Sequence, residues 1–169
     1  MTGGRVTLAL KNLLFTVLVP GTVAVYVPLL LTRSLPAGTG PVRGLAVLVF
    51  AVGASIYAWC VWDFATFGRG TPAPIDAPKR LVVRGLYRVT RNPMYVGVLT
   101  VILGWAVLYR SRALALYALA IWCCFESFVL LYEEPHLRRV FGAEYDAYRA
   151  RVGRWLPRVG GGSEQHGLR

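Results

Sequence analysis

The stretch "VTRNPMYVGVLTVILGWAVL", residues 89–108, decides how the rest of this chain is read. An apolar run opens on Arg91, Asn92 and Pro93, followed at once by Tyr95. The surrounding sequence is 56% hydrophobic, too apolar for an ordinary soluble domain, so the run reads as a helix buried in lipid. Pro93 suits the first helical position because its missing N–H would be unpaired there anyway. Asn92 is then the expected N-cap. Helix initiation accounts for Asn-Pro, but not for Tyr87, Arg88 and Arg91 crowding the same entrance.

Working outward, four segments are predicted as spanning helices against the ~20 apolar residues that a bilayer core requires. They run from Leu13 to Leu31, Gly44 to Trp62, Met94 to Tyr109 and Ala113 to Tyr132, the third being short for a full span. Pro20 and Pro28 fall in the first, where a membrane helix tolerates them as kinks. That segment is too long for a signal-peptide core and lacks a clean cleavage site, so it reads as a retained helix. Arg110, Ser111 and Arg112 alone separate the last two, which predicts a tight antiparallel hairpin.

A net charge of +11 and a pI near 10.2 would ordinarily suggest nucleic acid. Here the basic residues flank apolar runs and no aromatic-basic module is present, so a nucleic-acid partner is not expected. Fifteen of the 19 Lys and Arg residues fall on one side, leaving Arg33, Arg43, Arg110 and Arg112 on the other. The positive-inside bias then puts both termini and the loop of residues 64–93 in the cytoplasm. The expected organisation is an N-terminal helix pair at 1–63, a functional core at 64–157 and a disordered tail at 158–169.

From Glu133 to Trp155, Leu137, Phe141, Tyr145, Tyr148, Val152 and Trp155 recur at steps of three or four. That periodicity predicts one cytoplasmic amphipathic helix lying on the membrane or over the mouth of the bundle. The fold expected is therefore all-α: a polytopic membrane protein of about four transmembrane helices with this appendage.

Chemistry narrows quickly. His136 and His166 lie outside the spans, which argues against a bis-histidine haem. No dinucleotide fingerprint or P-loop is present. Cys60, Cys123 and Cys124 lie in apolar runs without metal-ligand spacing, so no metal site is expected. Glu126 is the one carboxylate well inside a span. Intramembrane carboxylates are functional by default, yet this one has arginines at the mouth to pair with. The hairpin returns Glu133 and Glu134 to the side on which the Arg91–Tyr95 turn sits. Acids, an amide, tyrosines and exposed backbone thus converge, which is what a small-molecule site requires.

With these residues in hand, "LVVRGLYRVTRNPMYVG" and "EEPHLRRVFGAEYDAYRARVGRWLP" resemble the isoprenylcysteine carboxyl methyltransferase and phospholipid methyltransferase family of integral membrane enzymes. The matching positions are Gly85, Tyr87, Arg91, Asn92, Pro93, Tyr95 and Gly97, then Glu133, Glu134, Leu137, Phe141, Gly142, Tyr145 and Tyr148. The resemblance implies an S-adenosyl-L-methionine site made by backbone near Leu81 and Val82, Tyr87, Arg91, the turn Asn92, Pro93, Met94 and Tyr95, and the pair Glu133 and Glu134. Arg88 and Glu126 are the candidates for the acceptor side, and the acceptor is expected to be lipophilic. Three departures stand out: Asn92 where the eukaryotic prenylcysteine enzymes carry His, Gly153 for an expected proline, and Val129 for an arginine resembling a carboxylate clamp. The competing readings are a non-enzymatic adaptor or assembly factor of four helices, and a small transporter dependent on Glu126.

Overall fold

The computed structural model describes Leu10 and residues 13–68 and 80–158; the middle of the long loop and the tail beyond 158 lie outside the described residues. Among these, the chain is all-α. Helices α1 (Leu13–Thr32), α2 (Pro41–Phe67) and α4 (Arg112–Phe141) are each long and apolar enough to cross a membrane, and the shorter apolar α3 (Pro93–Leu108) lies between α2 and α4. A 3-10 turn at Gly85–Arg88 precedes α3, and α5 (Ala143–Arg151) follows α4.

The prolines of α1 act as the sequence suggests, and the bundle repairs what they break. Pro28 donates no N–H, and a π-turn at Thr22–Tyr26 shifts the ladder just before it. Two carbonyls left over are taken by neighbouring helices: Trp105 Nε1 donates to Ala24 O at 2.9 Å and the Tyr117 hydroxyl to Val23 O at 2.9 Å. Side chains of α3 and α4 thus satisfy backbone that lipid would leave bare, a cost of several kcal/mol per group. Helices α2 and α3 meet at Gly53 and Gly97, where a Cβ on either would come within 3.0 Å of the other's carbonyl oxygen. Small residues admit close backbone approach, which drives helix association where water cannot.

At 16 residues, α3 is about 24 Å long, short of the ~30 Å hydrocarbon core. Its N-terminus is recessed within the protein, where Asn92, Pro93 and Met94 are buried, and residues 81–92, irregular apart from the 3-10 turn, lead into it. Backbone so buried survives only when protein satisfies it. Here Tyr87 N reaches Arg84 O at 2.9 Å, Thr90 N reaches Leu86 O at 3.1 Å, and Arg91 N reaches Gly153 O at 2.9 Å. At the other end of α3, Arg110 takes a positive φ of 46° and Ser111 Oγ caps α4 through Leu114 N, which closes the predicted hairpin.

One expectation requires correction. The tail is not a single amphipathic helix from Glu133 to Trp155. The spanning helix itself continues to Phe141 through a π-turn at Val129–Glu133, and the chain then breaks at Gly142, whose φ of +50° suits glycine. The break turns Tyr145, Tyr148 and Val152 of the stripe inward, against Leu81, Val83, Leu137 and Phe141. Past Arg151 the chain leaves the helix at an extended Val152, and Thr90 and Gly153 form an isolated parallel bridge.

Candidate active site

The recessed mouth of α3 gathers charge. Arg91 Nη1 lies 2.9 Å from Glu134 Oε1 and donates to the Tyr145 hydroxyl at 3.1 Å. Arg154 grips Glu134 in a two-point bond, Nε to Oε1 at 2.8 Å and Nη2 to Oε2 at 3.1 Å. Its remaining Nη1 donates to Glu126 Oε1 at 2.7 Å, and Trp155 Nε1 donates to the other oxygen of Glu126 at 2.5 Å. The hydrogen bonds to Glu134 keep the Arg154 guanidinium even more firmly charged than a free arginine. Glu126, the intramembrane carboxylate of the sequence, is thus held by the chain just beyond α5.

Glu133 is different. It accepts from the Tyr95 hydroxyl at 2.9 Å and has no basic partner among the described residues. Two arginines are matched by Glu126 and Glu134, so Glu133 is the acid left over. Tyr95 is positioned for this by stacking on Phe125, ring centroids 4.5 Å apart.

Asn92 stands at the N-cap position of α3, but its side chain does not cap the helix. It donates instead to Arg154 O at 3.2 Å, the same carbonyl that Thr90 Oγ1 reaches at 2.7 Å. The N-cap role predicted for the Asn92 side chain is therefore corrected: it fastens the segment of residues 152–155 across the mouth. Gly153 allows that crossing, because a Cβ there would overlap the Leu156 carbonyl. The departure from proline at this position has a local cause.

Arg91, Asn92, Glu133 and Glu134 share one cavity with Val129, Leu137, Tyr145 and Tyr148, and it encloses only about 20 Å³. That is room for roughly one water. Pro93 is buried at the same turn. The remaining predicted residues lie behind this wall. Val82, Tyr87 and Met94 pack with Cys60, and Leu81 packs on the Tyr145–Tyr148 cluster. Tyr87 joins the mouth through its backbone, since the Tyr148 hydroxyl donates to Tyr87 O at 2.7 Å. Burial holds the phenols of both tyrosines well above their ordinary value, so Tyr148 remains a donor across the physiological range. Arg88 is exposed and does not reach the cavity.

The sequence reading missed Arg154, Trp155 and Thr90. They form no motif, and only the parallel pairing of Thr90 with Gly153 brings them to the carboxylates. It also missed Asp63, a buried carboxylate whose Oδ2 has no hydrogen-bond partner and sits where a side chain on Gly85 would go. Gly85 carries a positive φ of 52°, so glycine is required there by conformation and by space. No cluster able to hold a metal ion occurs among the described residues.

Comparison with known proteins gives two kinds of match. The family profile described as phospholipid methyltransferase matches residues 42–144, from α2 through the first residues of α5. A probable protein-S-isoprenylcysteine O-methyltransferase of Oryza sativa subsp. indica is 35% identical over 79 residues, 46% of this chain and 41% of that protein. Protein-S-isoprenylcysteine O-methyltransferase B of Arabidopsis thaliana is 33% identical over 81 residues, 47% of this chain and 41% of that protein. This chain thus matches less than half the length of those relatives.

Proposed function

Because the chain belongs to the phospholipid methyltransferase family, we propose that it is an integral membrane methyltransferase using S-adenosyl-L-methionine and a lipophilic acceptor. The observation that carries this reading is Glu133: a partly buried carboxylate at the mouth whose partner is a neutral hydroxyl. A cationic ligand beside it supplies the missing charge. Arg91 adds a buried Nε with no acceptor, suited to a ligand carboxylate. The donor set therefore fits an amino-acid-bearing sulfonium, and Asn92, Glu133, Glu134 and Arg91 would hold it, with Leu81, Val82, Tyr87, Pro93, Met94 and Tyr95 shaping the wall.

The volume of the closed mouth does not fit. Ligand pockets measure roughly 300–1,000 Å³, so binding requires the segment at 152–155 to move aside. That segment is held by polar contacts to Arg91, Thr90, Asn92, Glu126 and Glu134. Its apolar contacts are those of Val152 in the Tyr145–Tyr148 cluster and of the Trp155 ring against Tyr95 and Trp122, so its displacement exchanges these as well as the polar contacts for contacts with the ligand.

When bound, the cofactor supplies an activated methyl group. The task of the protein is then to place an acceptor in line and keep water away, since displacement at a sulfonium needs orientation more than acid-base groups. No catalytic triad is assigned. Glu126, tied to Arg154 and Trp155, borders the acceptor side and sets the position of Arg154. By its charge asymmetry the mouth faces the cytoplasm.

The test is mass spectrometry of the protein purified in mild detergent, with thermal unfolding in added adenosylmethionine. Co-purified adenosylmethionine or adenosylhomocysteine and a raised Tm are expected. An unchanged Tm at millimolar cofactor, with nothing co-purified, would favour a non-enzymatic helper protein.

A further inference from the structure

A second cavity lies beside the mouth and shares Glu134 with it. It is an open groove of about 630 Å³ lined by Leu130, Glu134, Pro135, Arg138, Arg139 and Arg149. Its charges are unequally committed. Arg138 is paired with Asp146 at 3.1 Å, and Glu134 is occupied by Arg91 and Arg154. Arg139 and Arg149 are exposed and have no ion pair among the described residues. The groove therefore presents two guanidinium groups outside any ion pair, Arg149 within reach of the field of Glu134, above Leu130 and its neighbour Leu131, which are 44% and 81% exposed.

Depth favours a lipid as occupant. Helix α4 has 30 residues, hence is about 45 Å long, the thickness of a bilayer with both headgroup layers. Arg112 begins it, and Arg138 and Arg139 sit in its last turn, so these arginines lie at headgroup level. An exposed ladder marks the boundary just below: Phe128 stacks on Tyr132 at 5.2 Å, and Tyr132 on His136 at 5.8 Å with rings 2° from parallel. Aromatic side chains collect at this interface.

We infer that the groove binds an anionic phospholipid, acyl chains along Leu130 and Leu131 and phosphate between Arg139 and Arg149. A zwitterionic headgroup fits less well, because its ammonium would face the same arginines with Glu134 already taken. Such a lipid sits beside the mouth without entering it. It would brace α4 against α5 where Gly142 separates them, independently of any methyl acceptor.

The experiment uses the full chain in neutral detergent, titrated with dihexanoyl phosphatidylglycerol, its phosphatidylcholine counterpart, inorganic phosphate or polyglutamate, and followed by native mass spectrometry. Phosphatidylglycerol should be retained and the other three not. The double variant R139Q/R149Q should bind it about thirtyfold more weakly, the contribution of two arginines at a membrane surface. R110Q/R112Q, at the far end of the hairpin, should bind it as wild type does. Stabilisation by adenosylmethionine should survive in R139Q/R149Q. Equal retention of phosphatidylcholine, tight binding of phosphate or polyglutamate, or undiminished binding by R139Q/R149Q would overturn the proposal. Loss of the adenosylmethionine response in that variant would do so too, by placing the arginines in the mouth.

Discussion

Arg154 and Glu134, twenty residues apart, face each other through two parallel hydrogen bonds of 2.8 and 3.1 Å. Paired fork to carboxylate, this is among the stronger polar contacts a protein makes. It joins the segment after α5 to the last turns of α4, while the backbone of Arg154 is held by Thr90 and Asn92 from the other side. One residue therefore fastens three parts of the chain over the mouth.

Replacing Arg154 with Ala leaves Glu134 and Glu126 without their common partner. Glu134 is 8% exposed, so the loss should be severe, and about 3 kcal/mol of stability is expected to go. Denaturant unfolding in detergent, monitored by tryptophan fluorescence, measures it. A variant as stable as wild type would mean that the ion pairs contribute nothing net.

Glu133 supports a sharper test because its partner is neutral. Glu133→Gln keeps an acceptor for Tyr95 and removes only charge. Adenosylmethionine affinity should fall roughly ten- to a hundredfold, as for a lost charged hydrogen bond, while adenosylhomocysteine, which lacks the sulfonium charge, loses much less. Calorimetric titration of both ligands decides it. Equal losses would show that Glu133 reads the nucleoside or amino-acid part and not the sulfonium.

Gly85 tests the scaffold. A Cβ at this position would come within 2.5 Å of Asp63 Oδ2 and 2.8 Å of Trp59 Nε1, on a backbone with φ of 52°. Gly85→Ala combines left-handed strain of about 1–2 kcal/mol with overpacking of a similar size or more. A drop in Tm is expected, with adenosylmethionine binding weakened only through displacement of Tyr87. A fully stable Gly85→Ala would contradict the close approach of Asp63.

How much of this could be read from sequence depends on the range of the contact. The four apolar helices and the hairpin at Arg110–Arg112 follow from local composition and appear close to where they were expected, except that the last helix runs on from Tyr132 to Phe141. Arg91, Asn92, Glu133 and Glu134 could be brought together on paper because a short hairpin forces the ends of α3 and α4 to one side. The crossing of residues 152–155 over the mouth could not. A run of aromatic positions at helical spacing says nothing of Gly142 adopting a positive φ, since glycine within a helix costs only about 1 kcal/mol and does not demand a break. Arg154 likewise carries no signal, because its place follows from the parallel bridge of Thr90 with Gly153, which lets Thr90 Oγ1 reach Arg154 O across 64 residues. Val129 was visible as a departure, but not that it would be buried.

That burial bears on the acceptor. Val129 is 1% exposed and forms part of the cavity wall beside Glu133. Where the resemblance to the prenylcysteine enzymes leads one to expect an arginine, this mouth has the apolar side chain of Val129. The nearest guanidinium groups do not replace it: Arg154 is consumed by Glu126 and Glu134, and Arg91, paired with Glu134, keeps only its Nε, which is assigned above to the carboxylate of the cofactor. Arg88, the other cation expected on the acceptor side, is exposed and away from the cavity. An acceptor carboxylate entering here would lose its hydration without gaining a free cation, which is strongly unfavourable in a dry site. The acceptor should therefore be a membrane-dissolved molecule whose reacting group is not a free carboxylate beside a prenyl thioether. Labelled adenosylmethionine, offered with a prenylcysteine analogue in one assay and a native membrane lipid extract in another, distinguishes the cases. Label is expected in the extract, in a base-stable product, and not as methyl ester on the analogue. Efficient esterification of the prenylcysteine, with none in the extract, would mean that Arg91 leaves Glu134 during turnover and serves as the clamp.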